Sequence, residues 1–196
     1  MHVYKIAQEA VEKHGALQKI NELAGFLAVI IDLAPQVIVE IGSDVGGTLW
    51  AWQQIGARRV IGVDLPNAKF SSGCYAMRTS NALDAHGSEV VYGDSHTQAT
   101  YDALVQLLAG DPVDVLFIDG DHSYDGVLAD WDRFSKLTRL VALHDIVPGT
   151  DGRAVDALWA ILRASYDTRE WVDPASFPVR GETLGIEDGG IGAVLL

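Results

Sequence analysis

VIVEIGSDVGGTLW, residues 37–50, reads as a buried strand, a tight turn and the start of a helix. Val37, Ile38, Val39 and Ile41 form an apolar run broken only by Glu40. Gly42, Gly46 and Gly47 then open the turn, and Leu49, Trp50 and Trp52 begin a helical pattern that runs to about Gln54. Glycines between a strand and a helix let backbone N–H groups and the helix N-terminus approach a ligand with no Cβ in between. Such a turn suits a nucleotide-type cofactor. The spacing Gly42-x-x-x-Gly46-Gly47 differs from the G-x-G-x-x-G of dinucleotide sites, whose second glycine makes room for a pyrophosphate. Asp44 stands at that position. A carboxylate beside a pyrophosphate costs Coulomb energy, whereas beside a phosphate-free cofactor with a cationic centre it costs none.

Further strands repeat the pattern. Val60–Val63 form a second strand ending at Asp64, placed where doubly wound sheets offer a carboxylate to ribose hydroxyls. Residues 67–86 read as a helix or helix-loop. Glu89–Tyr92 form a third strand leading into Gly93-Asp94-Ser95, where a small polar or acidic side chain suits an adenine amino group or caps the next helix. That helix spans Thr97–Ala109. A fourth strand, Val113–Ile118, delivers Asp119-Gly120-Asp121-His122, and the following helix carries Tyr124, Val127, Leu128, Trp131 and Phe134 at helical spacing. A fifth strand, Leu140–Leu143, delivers His144-Asp145. Three carboxylates and two imidazoles are thus expected on one edge of a sheet, the edge that holds ligands in open α/β folds. Left unpaired, such a cluster would repel itself.

Residues 3–34 are helical in two pieces broken near Gly15 and ended by Pro35; Gly152–Leu162 form a further helix. Trp171–Val172 and Gly190–Leu196 are the remaining strand candidates, joined as a hairpin that makes an antiparallel edge. Residues 1–35 are read as N-terminal helices, a lid or packing segment, and residues 36–196 as the cofactor-binding domain. The net charge of −13 leaves no basic face for nucleic acid or anionic lipid. The single cysteine, Cys74, rules out an internal disulfide and suits a reducing compartment. With Lys5, Glu9, Glu12 and Lys13 near the N-terminus and no apolar run longer than Ala24–Ile31, a cytoplasmic protein is expected.

In this order, EIGSDVGGT, GVDLP, GDS, VLFIDGDHSYDGVLADW, LHDIVPG and GIGAVLL resemble the class I S-adenosylmethionine-dependent methyltransferases. The resemblance runs from about residue 20 onward and is closest to the metal-dependent sugar and antibiotic O-methyltransferase branch, of the methyltransferase family 24 type. FIDGDHSYDGV is its most specific part. The resemblance implies an α/β, Rossmann-like doubly wound sheet of seven strands, mostly parallel with an antiparallel last strand. It places Glu40, Gly42 and Thr48 around the methionine part of S-adenosylmethionine, Asp64 at the ribose, and Asp94 with Ser95 at the adenine, and counts Ser43 among the cofactor-binding residues. Asp119 is assigned to catalysis, cofactor and metal together, His144 and Asp145 to the metal, and His122 to the catalytic base. The relatives more often carry a carboxylate where this chain has His144.

Methyl transfer from a sulfonium is an in-line displacement, so the acceptor oxygen must be aligned and lose its proton. A divalent ion on Asp119 and Asp145, with His144 as third ligand, would lower the hydroxyl pKa. Oxygen ligands favour Mg²⁺ and the imidazole favours Mn²⁺. The expected partner is a hydroxylated small molecule, a sugar being one candidate; nucleic acid and membrane are not expected, and homo-oligomer formation is compatible with the reading. Two alternatives stay open: a nicotinamide oxidoreductase, which would also use Asp64, and a non-catalytic cofactor-binding subunit, which would have no need of His122.

Overall fold

The computed structural model describes residues 3–66, 86–149, 154–174, 177–179, 182–184 and 189–196. The helix or helix-loop expected over 67–86 lies almost wholly outside the described residues. Strands β1 (Val37–Ile41), β2 (Arg59–Asp64), β3 (Glu89–Tyr92), β4 (Val115–Ile118), β5 (Leu140–His144), β6 (Asp167–Trp171) and β9 (Ile191–Leu195) form one seven-stranded sheet, ordered β3-β2-β1-β4-β5-β9-β6. A separate two-stranded ribbon, β7 (Phe177–Val179) with β8 (Glu182–Leu184), occupies the connection between β6 and β9. Pairing is parallel from β3 to β5, and β9 runs antiparallel to both β5 and β6.

The antiparallel strand is therefore not the edge, as the hairpin reading had it. It is inserted one place inward, and β6 takes the rim. The residues explain the exchange. Ile191, Ala193 and Val194 are buried, whereas the Asp-Thr-Arg-Glu-Trp of β6 is largely exposed, as suits a strand with one open side. β6 also starts earlier than its apolar residues suggested, because Asp167 and Arg169 carry no apolar signal.

Period-two alternation splits the strands between two cores. Val37, Val39 and Ile41 face one cluster with Ile61, Leu116 and Ile118, covered by α4 (Gln98–Leu108), α5 (Tyr124–Phe134) and α6 (Val155–Ser165). Ile38, Val60, Val115 and Phe117 face the other, covered by α1 (Val3–His14), α2 (Ile20–Ile30) and α3 (Gly47–Gln54). There the rings of Phe26, Trp52 and Phe117 meet at centroid distances of 5.5–5.9 Å, and Trp171 of β6 adds an edge contact to Phe26 at 5.4 Å. The N-terminal helices are thus part of the core. Strand order reverses between β1 and β4, so the crevice of the sheet opens at the carboxyl ends of these two strands. Among the described residues no helix is long and apolar enough to cross a membrane.

Candidate active site

Gly42 leaves β1 at φ +81°, and a Cβ there would lie 2.2 Å from the Asp119 carbonyl oxygen. The ends of β1 and β4 are pressed together at this point, so only glycine fits. The turn that follows is organised by Asp64 at the tip of β2. One oxygen, Oδ2, accepts from the backbone N–H of Ser43 at 2.7 Å and of Asp44 at 2.9 Å. Ser43 is buried, with its hydroxyl directed back towards Gly62 of β2. Asp64 therefore braces the glycine turn from the carboxyl end of β2.

Glu40 is turned the other way. Alternation along β1 puts it with Ile38 on the face under α3, where it is fully buried. Its Oε1 accepts from the Thr48 hydroxyl and its Oε2 from Trp52 Nε1 at 2.7 Å. The Glu40 and Thr48 side chains expected around the methionine end are thus spent on each other, locking α3 onto β1. Burial pushes the Glu40 carboxyl from 4.5 up to about 8, against the two hydrogen bonds. The unfolded chain releases this proton near the ordinary value and the folded chain holds it until about 8, so folding loses stability as pH rises through that window. Glu40→Gln is expected to remove that loss. In urea titrations the variant should gain on wild type by a few kcal/mol between pH 5 and pH 8; a constant difference across that range would discard the buried-acid picture.

Beyond β4 and β5 the acidic and imidazole groups converge. His122 Nε2 lies 3.2 Å from Asp119 Oδ1, and His122 Nδ1 lies 3.2 Å from Asp145 Oδ2. His144 Nδ1 lies 3.1 Å from Asp119 Oδ1 and 3.4 Å from Asp145 Oδ1. Two carboxylates and two imidazoles thus form a closed ring, carboxylate alternating with imidazole. Burial disfavours charge on Asp119, but His144 and His122 outweigh it and hold its carboxyl far below the usual range. Burial likewise works against charge on His144, yet Asp145 and Asp119 push it up to about 10. His122 is raised against burial by the same two carboxylates. Its side chain is 29% exposed and that of Asp119 12%, while His144 and Asp145 are buried beneath them.

Three of these groups also have the makings of a cation site. Asp119, His144 and Asp145 each offer a ligand atom within 4.8 Å of the others. Asp145 takes up this place at φ +59°, a left-handed backbone adopted by few residues other than glycine. Asp121, counted beforehand with the cluster, does not join it. It is exposed and accepts from the Ser123 N–H at 2.9 Å, at the start of α5.

At the end of β3, Asp94 is exposed and accepts from the His96 N–H at 2.9 Å, and Ser95 follows in the same turn. The side chain that caps α4 is Thr97. Beneath the turn lies Asp130 of α5, fully buried, with His96 Nε2 3.5 Å from its Oδ1 and its carboxyl pushed up by burial to about 6. Sequence reasoning missed Asp130, although a charged residue three places after Val127 on a buried helical face is a legible signal. It also missed Gln18 and Glu22. Gln18 Nε2 donates to Asp119 Oδ2 at 2.6 Å, and Glu22 accepts from the backbone N–H of Asp173 and of Gly190. Only their burial within an amphipathic segment could have marked them.

A doubly wound sheet of this order, with a glycine turn at its reversal point and acidic groups past β2, β4 and β5, has the architecture of the class I methyltransferases. The chain belongs to the methyltransferase domain family, whose model matches residues 39–146, from the middle of β1 to just past Asp145. No curated protein matches it in sequence. Solved structures share the fold. An O-methyltransferase from Bacillus cereus in complex with SAH superposes with a TM-score of 0.57 at 17% identity, over 100% of this chain and 90% of that one. MycE from the mycinamycin biosynthetic pathway, in complex with Mg, SAH and mycinamycin VI, gives 0.64 at 13% identity over 100% of this chain, which spans 54% of MycE. CalS11, a TDP-rhamnose 3'-O-methyltransferase, gives 0.53 at 15% identity over 99% and 92% of the two chains.

Proposed function

We propose that the chain is an S-adenosylmethionine-dependent O-methyltransferase acting on a hydroxyl of a small molecule, with a sugar as the favoured acceptor and a divalent ion at Asp119, His144 and Asp145. The observation that carries this reading is the ring of Asp119, His122, His144 and Asp145 at the mouth of the β1/β4 crevice. CalS11, a TDP-rhamnose 3'-O-methyltransferase that shares the fold, supports the sugar direction, and the Mg in the MycE complex supports the metal.

The residues fit both groups. A phosphate-free nucleoside suits a turn whose second glycine position is Asp44, and two carboxylates with one imidazole suit Mn²⁺ or Mg²⁺. When bound, the sulfonium supplies an electrophilic methyl and the ion lowers the pKa of a coordinated hydroxyl. The chain's part is alignment and proton removal. Asp64 and the glycine turn hold the nucleoside end, Asp119 stands between that end and the acceptor, and His122 takes the hydroxyl proton as the oxygen–carbon bond forms and the sulfur–carbon bond breaks. His122 begins clamped between two carboxylates that favour its charged form, so it becomes a base once those carboxylates are drawn elsewhere.

Thermal shift tests the reading directly. S-adenosylhomocysteine is expected to raise Tm and NAD to leave it unchanged; the reverse would turn the assignment to a nicotinamide enzyme. Mn²⁺ is expected to add a further rise that Asp145→Asn abolishes, because a ligand that binds only the folded chain stabilises it by mass action. A Mn²⁺ shift that survives this substitution would place the ion elsewhere. The self-contained pairing of the ring favours one second reading, a cofactor-binding subunit without catalysis.

A further inference from the structure

The segment between α1 and α2 lies outside the range matched by the family model, yet it touches the site at two points. Ala16 is packed on Gly47, the first residue of α3, so closely that a Cβ on Gly47 would lie 2.2 Å from the Ala16 nitrogen. Two residues on, Gln18 is 2% exposed and donates from Nε2 to Asp119 Oδ2 at 2.6 Å. Its other amide atom, Oε1, is buried and has no hydrogen-bond partner among the described residues. A buried amide oxygen left unpaired keeps its full desolvation cost, so its retention calls for a donor that arrives with a ligand. The segment is firmly held at its far end. Lys19 Nζ donates to the Asp173 carbonyl at 2.7 Å, and Glu22 takes the N–H groups of Asp173 and Gly190 at 2.8 and 2.9 Å.

The donor must lie near Asp119, because Oε1 and Nε2 belong to one amide. A group that satisfies an ionised carboxylate and a neutral carbonyl oxygen together is an ammonium, a cation with several N–H bonds in one place. The other contact point complements it. The N-terminus of α3, against which Ala16 sits, attracts a carboxylate. An amino-acid zwitterion laid along residues 16–18 would thus meet a positive helix end at its carboxylate and Asp119 with Gln18 at its ammonium.

We propose, resting on the cofactor reading above, that Gln18 is a binding residue for the amino-acid end of the nucleoside, accepting from its ammonium through Oε1 while Nε2 fixes the Asp119 carboxylate. Gln18 thereby makes the N-terminal segment part of the cofactor site.

Calorimetry on the full chain separates this from a packing role. S-adenosylhomocysteine carries the amino-acid end; 5'-methylthioadenosine has the same nucleoside and sulfur without it. Gln18→Met keeps the volume and removes both hydrogen bonds, and Gln18→Ala serves as the second variant. Both are expected to weaken S-adenosylhomocysteine about tenfold, or about 1.4 kcal/mol, and to leave methylthioadenosine unchanged. Variants that bind both ligands as wild type does, or lose both equally, overturn the inference alone. A wild-type chain that binds neither ligand overturns the cofactor reading and this inference with it.

Discussion

Replacing His122 with alanine is expected to lower methyl transfer by about 10²- to 10⁴-fold, the usual contribution of a positioned proton acceptor, while S-adenosylhomocysteine still binds. The imidazole is the most exposed member of the ring and bridges Asp119 to Asp145 through both nitrogens, so no other described side chain can take its place without rearrangement. Its loss also leaves two carboxylates sharing only His144. Some destabilisation follows, because removing one partner strands the other charges. His122→Gln controls for this by keeping a donor towards one carboxylate without an acceptor of suitable basicity. Single-turnover assays with both variants decide the matter. Unchanged turnover in both removes His122 from the chemistry and favours the non-catalytic reading, and loss of cofactor binding in parallel with turnover would move His122 to the binding site.

Gly42→Ala is expected to be the most damaging small substitution. The residue sits at φ +81°, and the added carbon would meet the Asp119 carbonyl oxygen at 2.2 Å and the Gly120 Cα at 2.5 Å. Both obstacles are backbone, so no side chain can swing aside. Left-handed strain costs about 1–2 kcal/mol, and overpacking against a rigid strand end adds about 1–3 kcal/mol. A total near 3 kcal/mol lowers Tm by roughly 6–12 °C in a chain of this size. Gly56→Ala is the internal control: φ is +93° there, but nothing lies within 4 Å of the new carbon. It should show the strain alone. If the two variants melt alike, the close approach of β1 and β4 is not what holds position 42 to glycine. The same carbon would force Asp119 away from its histidines, so residual folded Gly42→Ala should bind Mn²⁺ poorly.

Much of this arrangement is readable along the chain because it depends on short-range pattern. Val37–Ile41, Arg59–Asp64 and Glu89–Tyr92 announce themselves by apolar runs that end in a polar or glycine residue, and the ends of β4 and β5 carry their charged groups in sequence. What the pattern hides is direction and partnership. Glu40 follows Val39 and precedes Ile41, so alternation alone sends it to the opposite face from theirs; that this face is closed by Thr48 and Trp52 is a tertiary fact. Asp121 and Asp119 look equivalent in Asp-Gly-Asp-His, but the chain turns between them and the start of α5 claims the second. Gln18 stands 101 residues from the carboxylate it touches, a distance over which no periodicity carries information.

The insertion of β9 between β5 and β6 has a consequence for biosynthesis. On the ribosome, β5 and β6 emerge first and must stay a strand's width apart until residues 191–195 arrive to pair with both. Until then Leu140–His144 presents one flank of open amide and carbonyl groups in an apolar setting, a template for mispairing with a neighbouring nascent chain. Closure over so long a stretch is slow, so mispairing competes with folding for as long as that flank stays uncovered.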